Sequence, residues 1–291
     1  MGKLLTPSIV RELVETSGVC AHKSLGQNFM VDSSQVEKIV RLAAVRGAEN
    51  ILEVGPGLGS LTAGLLNAGA KVVAVEIDDK LSSMLTITLD KLGHDVANLV
   101  VIHKDALLLK PNEQLNKCSK LVANLPYNVG VPILITLLER FDNVKEVLVL
   151  VQAEVSNRLT AAPGSKEYGI PSLKLAYFGV ASASAVVPRS VFWPVPRVDS
   201  RLVKFVRCEQ NLFTTECGTT SRDAVFALIN LAFSARRKTL RSLLVADSFD
   251  SEFIKSALES LQIDPLARAE TLTIHDFVKL AEILREHKSV I

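Results

Sequence analysis

Through the first two thirds of the chain, apolar residues fall in short unbroken runs separated by stretches with helical spacing. Ile51-Leu52-Glu53-Val54, Lys71 to Ile77, Leu99 to His103, Leu121-Val122-Ala123 and Val147 to Val151 predict strands buried on both faces. Ser60 to Ala68, Asp78 to Leu92, Pro132 to Arg140 and Ala153 to Ala161 predict the helices between them. This alternation predicts a parallel, doubly wound sheet with helices on both sides. Ahead of it, Thr6-Pro7 opens a helix that Gly18 ends, a loop runs from Lys23 to Met30, and Asp32 caps a second helix. Past Pro163-Gly164-Ser165 the pattern changes. A short helix over Leu173 to Phe178 precedes two strands, Ala181 to Val187 and Arg201 to Val206, with no helix between them. Such a pair suits an antiparallel edge. Residues 208 to 220 are polar and aperiodic and read as a linker, and the remainder reads as helical over Arg222 to Phe233, Glu252 to Leu261 and Ile274 to His287. The expected division is a sheet domain over 1–212, its N-terminal segment 1–46 helical, and a small all-α domain over 213–291.

Composition sharpens this little. A chain of 291 residues, 48% hydrophobic, has room for one large core and one small one. The net charge is only +2, from 33 basic and 31 acidic residues, so a nucleic-acid partner would require a local concentration of cations. Cys20, Cys118, Cys208 and Cys217 show no C-x-x-C spacing, and the histidines show no metal spacing, so no metal is expected. No apolar run reaches the length of a membrane span. The N-terminus lacks a secretory signal and carries Glu12 and Glu15 early, so a cytoplasmic protein, monomeric by default, is expected.

Glu53-Val54-Gly55-Pro56-Gly57-Leu58-Gly59 follows the first strand and opens a helix. Glycines there let the backbone turn sharply and let a ligand approach it. A dinucleotide loop would space its third glycine as G-x-G-x-x-G, to cradle a pyrophosphate. Here the order is G-x-G-x-G, which favours S-adenosylmethionine, a cofactor without phosphate. Glu76 ends the second strand, 21 residues after Gly55, where a carboxylate can accept the ribose hydroxyls. A dinucleotide enzyme would use the same device. Asp105 follows the third strand and can either cap the turn after it or accept a hydrogen bond from an adenine amine.

Asn124-Leu125-Pro126-Tyr127 ends the fourth strand, at the edge where such sheets bind ligands. An exocyclic base amine is a poor nucleophile because its lone pair is delocalised into the ring. Two acceptors aimed at its N–H groups localise that pair. The Asn124 side-chain oxygen and the carbonyl of Leu125 or Pro126 suit this role, and Tyr127 offers a flat face on which a flipped base can stack. The sulfonium of S-adenosylmethionine is itself a strong electrophile, so the chemistry requires no metal.

With these motifs in place, the sequence resembles the ribosomal RNA adenine dimethyltransferase family, most closely its bacterial small-subunit members. The matching segments are Lys23 to Phe29, Glu53 to Gly59, Asn124 to Asn128, Pro163 to Gly169 and Phe192 to Ser200. The resemblance implies a Rossmann-like class I methyltransferase sheet with a helical RNA-binding domain. It implies a cofactor pocket of Asn28, Met30, Gly55, Gly57, Glu76, Asp105 and Asn124, with Met30 replacing a usual leucine of similar volume. It implies that Tyr127 and Phe192 sandwich the target adenine. It implies two methyl groups on each of two adjacent adenosines near the 3′ end of 16S rRNA, in the small subunit or its precursor, and a role in subunit biogenesis. Gly130-Val131 departs from the Ser-Thr common in relatives. Arg236, Arg237, Lys238 and Arg241 put four cations within six residues. Alone this reads as a solvated helix face, but the resemblance makes it a set of phosphate contacts.

Three other readings share parts of this pattern. A large-subunit rRNA methyltransferase of the antibiotic-resistance type shares the glycine loop and a similar tetrapeptide, but the Arg-Arg-Lys-Thr-Leu segment and the full Lys-Ser-Leu-Gly-Gln-Asn-Phe loop favour the small-subunit enzyme. A DNA adenine methyltransferase more often begins its tetrapeptide with Asp. A non-catalytic assembly factor would not need the intact cofactor pocket.

Overall fold

Seven strands form one sheet in a computed structural model that describes residues 1–19, 26–208, 214–215, 218–219, 221–235 and 237–290. In chain order they are β1 (Asn50–Val54), β2 (Lys71–Glu76), β3 (Leu99–His103), β4 (Lys120–Asn124), β5 (Glu146–Gln152), β6 (Gly179–Val187) and β7 (Ser200–Arg207). The spatial order is β3-β2-β1-β4-β5-β7-β6. The five strands from β3 to β5 pair in parallel, and β7 runs antiparallel to β5 over its length, from Glu146 opposite Val206 to Gln152 opposite Ser200. Four of the unbroken apolar runs, β1, β2, β4 and β5, are interior strands covered on both faces. β3, also expected to be buried on both faces, is an edge strand with Leu99 buried, the next three residues half-buried and His103 exposed, because it has a neighbour on one side only. The two strands without a helix between them form the edge that the sequence predicted.

The order of strands decides where ligands can bind. β1 and β4 are neighbours, yet the chain leaves them in opposite directions, through β2 to one edge and through β5 to the other. The loops beyond their C-terminal ends therefore diverge and leave a crevice. Gly55 to Gly59 and Asn124 to Tyr127 border it.

By their contacts the residues group into two units, Met1–Ser156 with Ala181–Arg207, and Asn157–Val180 with Cys208–Ile291. The expected division, 1–212 and 213–291, differs from this grouping by a few residues at its boundary, which falls at Cys208, and in one internal segment. Asn157–Val180 groups with the C-terminal helices, because Ile170–Phe178 packs against Arg222–Ala232 and Ile274–Val290. Tyr168 donates its hydroxyl to the Leu272 carbonyl at 2.9 Å, and Tyr177, Phe178 and Phe226 meet edge to face. The second unit also holds a helix absent from the sequence reading, Leu240–Ala246, capped by the Thr239 side chain. In the stretch read as a linker, Thr214–Thr215 pairs with Gly218–Thr219.

In the first unit a two-residue strand, Phe29–Met30, pairs antiparallel with Phe192–Trp193. Neither was expected as a strand. Side chains alternate across such a pairing, which decides what Phe192 and Trp193 face.

Candidate active site

The glycine loop is built around Glu76. Its side chain is buried, and its two oxygens accept three backbone N–H groups: Gly57 at 3.1 Å, Ile77 at 3.0 Å and Asp78 at 3.0 Å. Burial raises its pKa, and the N–H donors oppose that rise. A carboxylate has about four acceptor directions, so roughly one is left for a ribose hydroxyl. Gly57 has φ +58°, and a Cβ there would lie 2.9 Å from the Phe29 ring, so only glycine fits. Glu53 is a second buried carboxylate at the cavity. It accepts the Thr62 hydroxyl at 2.7 Å. Burial pushes its pKa up to about 8, Thr62 opposes the rise, and Glu76 adds to it.

One continuous cavity is lined by Gly26 to Met30, Glu53 to Leu58, Val75 to Ile77, Lys104 to Leu107 and Asn124 to Val129. It brings together Asn28, Met30, Gly55, Gly57, Glu76, Asp105, Asn124, Leu125, Pro126 and Tyr127, all expected from the sequence. Both readings of Asp105 have a place, because one of its oxygens caps Leu107 N–H at 2.8 Å while the residue lines the cavity. Glu53 was passed over as part of a strand. A carboxylate inside an otherwise apolar, doubly covered strand was the available signal.

The Asn124 side chain has one fixed end and one free end. Its amide donates to the Asn28 carbonyl at 3.1 Å, which sets its orientation, and its Oδ1 is buried without a hydrogen-bond partner. Buried polar atoms are seldom left so. Of the two candidate carbonyls beside it, that of Pro126 accepts Val129 N–H at 3.3 Å. That of Leu125 accepts none among the described residues. The Tyr127 hydroxyl shares a 2.6 Å hydrogen bond with Ser200, which pins the ring at the cavity wall. Burial raises the phenol's pKa, and Ser200 offsets part of that rise.

Sequence and geometry disagree on Phe192. Expected as one face of an adenine clamp, it is 1% exposed, packed in the apolar core, and absent from the cavity lining. The pairing with Phe29–Met30 sends Phe192 inward on the side of Met30. Trp193 takes the other side, 40% exposed and stacked on Phe29 with ring centroids 6.3 Å apart.

The family model described as Ribosomal RNA adenine dimethylase matches residues 19–286. The chain belongs to that family. Within the adenine dimethylase family it is 49% identical to Ribosomal RNA small subunit methyltransferase A of Leifsonia xyli subsp. xyli, over 96% of this chain and 98% of that one. The Streptomyces griseus protein of the same name is 44% identical, over 96% and 94%. Among solved structures, a dimethyladenosine transferase from Plasmodium falciparum aligns with TM-score 0.73 and 26% identity, over 90% of this chain and 98% of that one. The 23S rRNA methyltransferase ErmE aligns with TM-score 0.63 at 22% identity, over 89% and 100%, a likeness of fold alone.

Of the expected phosphate contacts, Arg237 and Lys238 are exposed. Arg241 bonds Ser251 at 2.8 Å and pairs with Glu252 at 3.5 Å. Arg236 lies outside the described residues, as do Lys23 to Leu25 of the matching loop. Among the described residues no cluster of His, Cys, Asp or Glu could hold a metal ion, and no helix is long and apolar enough to cross a membrane.

Proposed function

We propose that this adenine dimethylase binds S-adenosylmethionine in the cavity between the glycine loop and Asn124-Leu125-Pro126-Tyr127. From it, methyl groups pass to the exocyclic amines of two adjacent adenosines near the 3′ end of 16S rRNA, in the small subunit or its precursor. The observation that carries this reading is the buried, unpartnered Oδ1 of Asn124 at the cavity.

The residues present suit the cofactor. Glu76 has an acceptor direction left for a ribose hydroxyl, Asp105 has an oxygen left for an adenine amine, and Gly57 gives an approach that a side chain would block. Asn28 and Met30 complete the wall. When bound, S-adenosylmethionine supplies a methyl group already activated on a sulfonium.

The protein's own task is to prepare the nucleophile. Asn124 Oδ1 accepts one N–H of the adenine amine, and the Leu125 carbonyl accepts the other. In the first transfer, holding both hydrogens in place turns the nitrogen lone pair out of conjugation; in the second, one of the two acceptors holds the single N–H that remains. As the new C–N bond forms the nitrogen becomes cationic, and it then releases one proton to solvent. Tyr127, its ring pinned by Ser200, gives the extruded base one stacking face. Arg236, Arg237, Lys238 and Arg241 would contact RNA phosphates, with Arg241 the least available because Glu252 already pairs with it. An rRNA substrate puts the protein in the cytoplasm, and one chain supplies every residue of the site, so a monomer suffices.

The test uses small subunits from cells that lack this modification, incubated with the protein and labelled S-adenosylmethionine. Dimethyladenosine in the 3′-terminal rRNA fragment, read by mass spectrometry, is the expected product. Transfer to large-subunit rRNA instead would replace this reading with the resistance-type activity. Tight subunit binding without transfer would replace it with a non-catalytic assembly role.

A further inference from the structure

The segment after Arg189 holds the chain's sole tryptophan, and it is presented unusually. One side of the Trp193 ring stacks on Phe29 at an interplanar angle of 19°. Phe29 lines the cavity and lies against Gly57, where a Cβ would stand 2.9 Å from its ring. Glycine loop, Phe29 and Trp193 thus form a continuous stack leading from the cofactor cavity to the surface. Trp193 is 40% exposed, with exposed Val195 and Val198 close by in sequence. A large flat ring left in water beside a binding cavity calls for a partner.

We propose that Trp193 is a positioning residue for RNA: it stacks an unpaired base that flanks the target adenosine, while the target itself enters the cavity beside Tyr127. This rests on the functional reading above and adds to it a contact that Phe192, buried in the core, does not make. Charge favours RNA as the occupant. Residues 189 to 198 contain two arginines, Arg189 and Arg197, and no acid. Both arginines are exposed; the Arg189 guanidinium donates to the Arg197 carbonyl at 3.3 Å, and Asp199, the first acid after this stretch, accepts the Arg189 backbone N–H at 2.9 Å. An exposed flat ring with an exposed arginine four residues before it and another four residues after it suits a stacked base with its phosphate. The ring is firmly seated, since backbone pairing with Phe29–Met30 holds its segment, so little order must be gained on binding.

The test compares Trp193→Ala, Trp193→Leu and Trp193→Phe with the unaltered protein, measuring KM for unmethylated small subunits, KM for S-adenosylmethionine, and kcat. Base stacking on an aromatic ring corresponds to roughly 5- to 150-fold in affinity. Trp193→Ala and Trp193→Leu are expected to raise the subunit KM within that range, and Trp193→Phe to restore most of it. The S-adenosylmethionine KM should stay within about two-fold throughout. An unchanged subunit KM in Trp193→Ala overturns the proposal. So does full restoration by leucine, or a rise in the cofactor KM that matches the rise for subunits, because either marks a ring that merely covers Phe29. If the unaltered protein transfers no methyl groups, the functional reading fails separately. Trp193 is then judged by its own fluorescence: quenching by oligoadenylate supports the platform, and no quenching overturns it.

Discussion

The two loops that border the cavity treat their polar atoms in opposite ways. Around the glycine loop nearly everything is committed: Glu76 takes three N–H groups and Glu53 takes the Thr62 hydroxyl. At the end of β4, the Asn124 amide is tied to Asn28 while its oxygen is buried and unspent. The first arrangement fixes a shape before any ligand arrives. The second leaves a buried acceptor without a partner, and on the proposed function that acceptor is reserved for the adenine amine, as preorganised catalysis requires.

Removing the reserved atom gives the largest expected effect. Asn124→Ala should lower kcat by about 100- to 1000-fold, the scale on which a single preorganised hydrogen-bonding group acts. Its stability cost should be small, about 1 kcal/mol for the lost bond to Asn28. Labelled methyl transfer and thermal melting measure the two quantities. Transfer at the unaltered rate would end the contrast between the loops.

Disturbing a committed atom should give the reverse profile. Glu76→Gln sets an amide NH2 against at least one backbone N–H, so a buried donor loses its acceptor. That costs about 1–3 kcal/mol of stability, and S-adenosylmethionine binding should weaken about ten-fold as the loop loosens, read by calorimetry. A variant with unaltered melting temperature and affinity would show that Glu76 does not hold the loop.

A smaller effect is expected from the cations of the second unit. Arg237→Glu combined with Lys238→Glu should weaken subunit binding several-fold at moderate salt. It should also flatten the salt dependence by roughly 0.7 to 0.9 per lost phosphate contact. Arg241→Glu should do less to binding, because its guanidinium already serves Glu252. Equal binding by the double variant at all salt concentrations would remove these cations from the RNA contact.

What could be read in advance follows the same division between local and distant causes. The strands were legible because continuous apolar runs have a single stable home, a covered parallel sheet. The glycine loop and the 124–127 turn were legible because their chemistry is contiguous in sequence. Phe192 was misjudged because its direction depends on a two-residue pairing with Phe29–Met30, distant in sequence, and Phe-Trp-Pro-Val-Pro has no periodicity to reveal it. Lys120 was invisible for a similar reason. It is buried at the start of β4 because Glu49, at 3.1 Å, and the carbonyls of Ala43 and Ala44 receive its ammonium. The helix over Leu240–Ala246 was hidden beneath the charge run before it, although Thr239 carried a capping signal. Asn157–Val180 joins the C-terminal helices through packing that no local pattern announces.

Glu53 gives the subtlest test of the committed side. Its folded-state pKa of about 8 lies above the ordinary 4.5, chiefly because burial disfavours the charge. Between those values the folded protein keeps a proton that the unfolded chain has released, so stability falls as pH rises from about 4.5 to about 8. Glu53→Gln keeps an acceptor for Thr62 but has no charge to bury. The melting temperature of the ligand-free variant should therefore fall less than that of the unaltered protein between pH 6 and pH 8.5, with the two closest at the acid end. Parallel melting curves across that range would mean that Glu53 titrates normally, and that the carboxylate beside the glycine loop is better solvated than its position implies.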